Sequence, residues 1–277
     1  MLLMIIAILA VLGLALGSFV NALVWRTHER EEGRKGKELS VLHGRSMCPN
    51  CKHQLAAKDL VPLLSWLSLR GKCRYCGKPV SVQYPLVELA TALVFIASYL
   101  WWPDPLHGWH LVELVVWLPI VTGLMALLVY DYKWMELPTR IIYPLACLAV
   151  LMALAHVLAT DHLLKALLNA ALSVAVGGGI FYVLYVVSSG KWIGGGDIRL
   201  GWLLGLVVAT PARSLLFIFL ASLLGSLASV PLLASKRLKK NSVIPFGPFL
   251  IIGAMVVVLL GHAMLAWYQR TFFGFTL

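Results

Sequence analysis

Charge is scarce in this chain. Of its 277 residues only 13% are Asp, Glu, Lys or Arg, and just twelve are acidic. A soluble domain cannot hide a composition that is 60% hydrophobic with a mean hydropathy of +0.87, so that class is excluded and a polytopic membrane protein is implied. The eight histidines contain no HExxH arrangement, which removes the commonest zinc-protease signature. No Ser or Cys nucleophile constellation is evident, and no glycine-rich signature marks a methyl-donor site. The first apolar run lacks a preceding basic region and a convincing small-residue cleavage site, so it is expected to be a retained helix rather than a signal peptide. No repeat relates one half of the chain to the other, as a transporter built from inverted repeats would show.

What is abundant is long apolar sequence. Eight segments stand out: Leu2 to Trp25, Leu86 to Trp102, Leu111 to Tyr130, Arg140 to Leu158, Leu163 to Val187, Ile198 to Val208, Pro211 to Ser235 and Ile244 to Trp267. The sixth is short for a full span. The fold class expected is an all-α polytopic membrane protein of about eight transmembrane helices. Three regions are expected: a first transmembrane helix (1–25), a small soluble insertion (26–84) and a transmembrane domain (85–277).

The net charge of +11 would suggest nucleic acid if it were spread over a soluble surface. Threading from an outward N-terminus instead puts almost all of the 23 basic residues on one side. The insertion from Arg26 to Lys78, Lys133, Arg140, Lys191, Arg199 and the KRLKK cluster at Lys236 to Lys240 fall inside; only Lys165, Arg213 and Arg270 fall outside. That asymmetry satisfies the positive-inside rule and accounts for the charge without a nucleic-acid partner. Trp101, Trp102 and Trp109 lie where an aromatic interface belt is expected.

The insertion is too small for a large core. It carries CPNC (Cys48, Cys51) and CRYC (Cys73, Cys76), two CxxC turns separated by 21 residues. Such a pair supplies four thiolates to a tetrahedral zinc, and a reducing compartment argues against two disulfides. Four thiols leave no position open for water, so the metal is expected to be structural. Cys147, within an apolar segment, is expected to be a small core residue.

Five carboxylates lie in or beside apolar segments: Glu88, Glu113, Asp131, Glu136 and Asp197. A charge at mid-bilayer costs about 2.5–3.5 kcal/mol on insertion scales, so such groups tend to have a function. Asp131 closes the third segment and Asp197, after Gly194, Gly195 and Gly196, opens the sixth; both are threaded to the cytoplasmic edge. If they meet, one proton is shared between them and the pair can perform acid–base chemistry on a peptide bond. The glycines would let the backbone approach a substrate strand. Two alternatives stand beside this: Asp197 as a helix N-cap, and Asp131 paired with Lys133 or Arg140 at the interface. A proton-coupled transporter using the two carboxylates as a relay, and a non-catalytic assembly factor, are the competing functions.

Several motifs together resemble the type IV prepilin peptidase family of membrane aspartyl proteases. GLALGSFVNALVWR (Gly13 to Arg26) is similar to that family's first-helix exit, and the four-cysteine insertion to its cytoplasmic zinc domain. QYPLVELATALVF (Gln83 to Phe95) resembles its second-helix start. YDYKWMELP and GGGDIRL resemble the two aspartate motifs, and IPFGPFLIIG (Ile244 to Gly253) its C-terminal signature.

The resemblance implies that Asp131 and Asp197 are the catalytic pair, with Gly194, Gly195, Gly196 and Arg199 in the active-site loop and Glu88 accessory to catalysis or methyl transfer. It implies Zn2+ on the four cysteines and S-adenosylmethionine as methyl donor. The implied substrates are prepilins or pseudopilins of a pilus or type II secretion system, cut at the cytoplasmic face of a bacterial inner membrane. Thr139, Trp192 and Arg199 depart from the family pattern, where Asp or Asn, Gly and Lys are usual. Ser18 and Asn21 are expected to serve helix packing, and Pro245 and Gly247 to shape a helix start near the site.

Overall fold

A computed structural model describes residues 1–41, 44–234 and 244–274. The KRLKK cluster lies outside the described residues. Among them every regular element is helical, apart from two isolated β-bridges, Met47 to Gln54 and Lys72 to Pro79. The helices are α1 (Leu2–Glu31), α2 (Leu64–Ser68), α3 (Gln83–Leu100), α4 (Gly108–Trp134), α5 (Thr139–Leu158), α6 (Leu163–Val187), α7 (Gly195–Val208), α8 (Pro211–Ala234) and α9 (Gly247–Phe273).

Seven of these are long and apolar enough to cross a membrane: α1, α3, α4, α5, α6, α8 and α9. The exception is the sixth apolar segment. It folds as α7, whose 14 residues rise about 21 Å, against the roughly 30 Å of a bilayer's hydrocarbon core. Short as it is, α7 is sheathed by protein, with Leu200 and Leu204 fully buried. A short helix is tolerated at membrane depth when neighbours cover its ends. It stops at Ala209 in the left-handed region (φ 60), whose N–H returns to Gly205 O, and Pro211 then starts α8.

The chain divides into two compact units. The first comprises Met1–Leu100 with Val121–Ala126, and the second Trp101–Ile120 with Leu127–Leu277.

In the first unit α1 packs along α3. The contact is set by glycine: a Cβ on Gly13 would lie 2.5 Å from Ala92 Cα, and one on Gly17 2.6 Å from Glu88 Cα. Lipid tails are as apolar as leucine, so close backbone approach through small residues drives such pairing. Asn21 closes the seam, donating from Nδ2 to Tyr84 O at 3.2 Å and accepting from Gln83 Nε2 at 3.3 Å. Gly17→Val should therefore force the two helices apart. The expected loss is about 1–3 kcal/mol, the usual cost of overpacking, read as a lower melting temperature in detergent. An unchanged melt would contradict this packing.

In the second unit α6 and α7 meet in the same way. A Cβ on Gly201 would fall 2.5 Å from Gly177 O, and one on Gly205 2.6 Å from Ser173 O. Ser173 Oγ donates to Gly205 O at 2.6 Å, and Ser214 Oγ donates to Ser173 O at 2.9 Å, tying α8 to the pair. Cys147 corrects one expectation: it is exposed on α5, not in the core. Both the bilayer-facing and the inward faces of a membrane helix are apolar, so an apolar residue's sequence does not say which it occupies.

Candidate active site

Asp131 lies in the last turn of α4 and is buried. The helix ends just beyond it at Met135, whose left-handed conformation (φ 55) returns its N–H to Asp131 O at 2.8 Å. This turn redirects the chain so that Leu137, also buried, comes against the glycine loop. A Cβ on Gly196 would lie 3.2 Å from Leu137 Cδ1 and 3.3 Å from its Cβ. The leucine of ELP and the last glycine of GGGD thus lock together the two segments that carry the aspartates.

Asp197 sits three residues after the N-cap of α7, which is Gly194. It is not itself the N-cap, but its carboxylate accepts the Gly194 N–H, so part of the capping alternative holds. The two aspartate carboxylates are within electrostatic reach of each other. Lys133 does not neutralise Asp131 directly; its ammonium lies 5.0 Å above the Trp134 ring.

The tertiary structure adds a residue that the sequence analysis gave only a shaping role. Gly247, at the start of α9, abuts Asp131: a Cβ there would stand 2.5 Å from Oδ2 and 3.1 Å from Cγ. That same Oδ2 is buried with no well-formed hydrogen bond, although the Gly247 backbone N–H acts on the carboxylate. Buried carboxylate oxygens are ordinarily satisfied, and an exception asks for an explanation. The sequence signal was the IPFGPF motif, but nothing local to it names Asp131 as its neighbour.

The other proposed loop residues are less constrained. Gly194 and Gly195 are exposed, and Arg199 folds back so that Nε donates to Gly195 O at 3.3 Å. Trp192 is 70% exposed and Glu136 is exposed. Glu113 is buried but accounted for: His110 Nδ1 is 3.2 Å from one of its oxygens and His156 Nδ1 3.5 Å from the other.

In the first unit the four cysteines converge. Their sulfurs lie within 4.8 Å of one another, with Cys48 and Cys76 Sγ 4.0 Å apart. A tetrahedron with Zn–S bonds of ~2.3 Å has edges of about 3.8 Å, so the set fits a metal ion. The two CxxC turns are built alike. In each, the first cysteine's N–H pairs across the turn, to His53 O or Lys78 O, and the residue after the second cysteine is left-handed (Lys52 φ 58, Gly77 φ 67). Burial would raise the Cys73 thiol, but the backbone N–H groups of Cys76 and Tyr75 and the neighbouring thiols outweigh it. They bring its pKa down to about 7, so much of it is thiolate near neutrality.

Beside the tetrad, Asp59 accepts from Arg74 Nε at 2.6 Å and Tyr75 OH at 2.9 Å. Burial would raise the Asp59 carboxyl, yet these bonds hold it below the usual carboxylate range. Glu88 is buried and accepts the Leu63 N–H at 2.8 Å, binding α3 to the start of α2.

Asp131 and Asp197, each at an end of its helix, lie within electrostatic reach of each other, an arrangement that a membrane aspartic peptidase would need. A family model described as the bacterial peptidase A24 N-terminal domain matches residues 11–102, and one described as the type IV leader peptidase family matches 118–230. Curated relatives include the prepilin leader peptidase/N-methyltransferase of Aeromonas hydrophila, 30% identical over 94% of this chain and 92% of its own length. That of Bacillus subtilis is 30% identical over 97% and 100%, and that of Pseudomonas aeruginosa 31% over 95% and 93%. The chain belongs to the type IV leader peptidase family, as a multi-pass inner-membrane protein. No solved structure matches it.

Proposed function

We propose that this protein cuts the basic leader from prepilins or pseudopilins at the cytoplasmic membrane face and methylates the new N-terminus. Asp131 and Asp197 are the catalytic pair. The observation that carries this is the buried Asp131 carboxylate, set against the Gly247 backbone and within electrostatic reach of Asp197.

Two carboxylates so placed do not both ionise readily, so at working pH they share a proton. The ionised member takes a proton from the attacking water as the water oxygen bonds to the scissile carbonyl carbon. The protonated member gives its proton to the carbonyl oxygen, so charge never accumulates on it. The proton gained from water then passes to the leaving amine as the C–N bond breaks. Gly194 and Gly195, exposed and without side chains, allow the substrate backbone to lie alongside.

Gly247→Ala tests the geometry. The added methyl would meet Asp131 Oδ2 at 2.5 Å, displacing the carboxylate; misplacement on the scale of 1 Å costs about 100-fold in rate. Prepilin processing should fall by that order while the protein still inserts. Wild-type processing by this variant would remove Gly247 from the site.

Sidedness follows the basic residues: N-terminus outside, insertion and aspartates in the cytoplasm. The insertion holds one structural Zn2+ through Cys48, Cys51, Cys73 and Cys76. Methyl transfer, which the relatives' names give for those proteins, uses S-adenosylmethionine as its donor here.

A further inference from the structure

Glu113 takes no part in the aspartate chemistry, yet at 3% exposure it is more deeply enclosed than Asp131 at 5%. It lies near the start of α4, 131 − 113 = 18 residues before Asp131. At 1.5 Å per residue the two are about 27 Å apart along the helix. Around Glu113 the second unit gathers side chains from three places. Asp104 comes from the loop before α4, His110 from the first turn of α4 and His156 from the last turn of α5. One ligand atom each from Asp104, His110 and Glu113 lies within 4.8 Å of the others. His110 Nδ1 is 3.2 Å from one Glu113 oxygen, and His156 Nδ1 is 3.5 Å from the other. We propose that Asp104, His110 and Glu113 form a metal site separate from the cysteine tetrad. It takes a divalent first-row transition cation such as Zn2+, with His156 orienting Glu113 and water at the open position. The proposal is independent of the peptidase reading.

The donors and their spacing suit such an ion. Zn–N and Zn–O bonds of about 2.0–2.1 Å put adjacent atoms of a tetrahedron roughly 3.3 Å apart. The His110–Glu113 pair already has that separation. The 4.8 Å limit on the set leaves Asp104, on its loop, at most about 1.5 Å to close. Imidazole combined with carboxylate favours zinc and its neighbours over Ca2+ and Mg2+, which prefer all-oxygen sites. Arg213 of α8 interacts electrostatically with both carboxylates. One guanidinium against two carboxylates leaves a negative charge for a cation to meet.

A second observation points to an occupant. The cavity beside this group encloses about 390 Å³ of empty space, solvent at its mouth included. Its walls include Trp102, Asp104, Glu113, His156 and Arg213. Trp102 Nε1 is buried there with no hydrogen-bond partner among the described residues. A buried donor of that kind asks for an acceptor, and water on the metal's open position supplies one. Asp104 and His110 are half-buried, which gives the ion a way in. Once bound, it ties the loop before α4 to the start of that helix, with α5 held through His156.

Three nitrogen and oxygen ligands hold zinc less firmly than four thiolates, so a mild chelator should strip this site and leave the tetrad filled. Calorimetric titration of the untagged full chain, so washed and kept in detergent, with Zn2+ tests the proposal. One further equivalent should bind beyond the tetrad zinc counted by elemental analysis. Asp104→Asn and His110→Ala should each weaken that binding tenfold or more. Asp104 lies on a loop, so its variant does not disturb helix packing. Uptake of no second equivalent, or equal uptake by both variants, overturns the proposal and leaves a histidine proton as the balancing charge. Co2+ added to the unmodified chain gives a readout that needs no variant. Ligand-field bands of bound Co2+ without thiolate charge-transfer absorption support the site. The spectrum of the free aqua ion, or thiolate charge transfer alone, overturns it.

Discussion

Asp131→Asn and Asp197→Asn should each abolish prepilin cleavage while leaving an inserted, folded protein. Asparagine keeps the shape of aspartate but can neither accept the water's proton nor donate one to the carbonyl. Positioned acid–base groups contribute on the order of 10²–10⁴-fold each, and here both halves of the reaction pass through one shared proton. Either substitution should therefore cost at least the upper part of that range. The measurement is the ratio of mature to precursor pilin on co-expression, with melting temperature in detergent as the control for folding. Asparagine fills the same volume as aspartate at each position, so the melt should stay close to that of the wild type. Processing at the wild-type rate by either variant would end the dyad reading. It would leave the assembly-factor alternative, which keeps the cysteines and has no need of the aspartates.

Removal of the metal from the cysteine tetrad should have the second large effect, and a different one. Among the described residues of 32–82, the apolar side chains that are buried are Leu39, Cys48 and Cys73. Two of those three belong to the tetrad, so the insertion has almost no core apart from the site. Structural zinc in comparable small folds supplies roughly 10–16 kcal/mol of apparent binding energy at neutral pH, and without it such folds are unstructured. A strong chelator, or Cys73→Ser, should make residues 32–82 sensitive to protease while the helices of the second unit stay protected. Elemental analysis should find one zinc per chain in the wild type and a large loss in the variant. A chelated protein whose insertion resists protease as before would show that the fold of the insertion does not depend on metal.

The two effects separate because the features lie in different units. The aspartates of the second unit should retain their arrangement when the insertion melts. The cysteines should still bind metal when either aspartate is amidated.

Much of this protein was legible in sequence because the deciding signals are local. Runs of about 20 apolar residues have to cross a membrane as helices, since no other backbone satisfies its hydrogen bonds there. Two CxxC turns bring four sulfurs to one centre through their own turn geometry. The two aspartate motifs named the catalytic candidates, and the distribution of lysine and arginine gave their expected depth. What tertiary structure alone decided is which faces meet. It sheathed the 14 residues of α7 in protein, set Leu137 on Gly196, and put Gly247 against Asp131. It placed Glu113 between two histidines, turned Cys147 outward, and drew Ser18, Trp66 and Glu88 to a single cleft. The physical reason is common to all of these. In a membrane protein the surroundings of a helix are as apolar as its core, so hydrophobic periodicity no longer marks the inner face. Contacts between positions as far apart as 131 and 247 are then fixed by backbone approach at glycines and by a few polar atoms, which only the folded chain brings together.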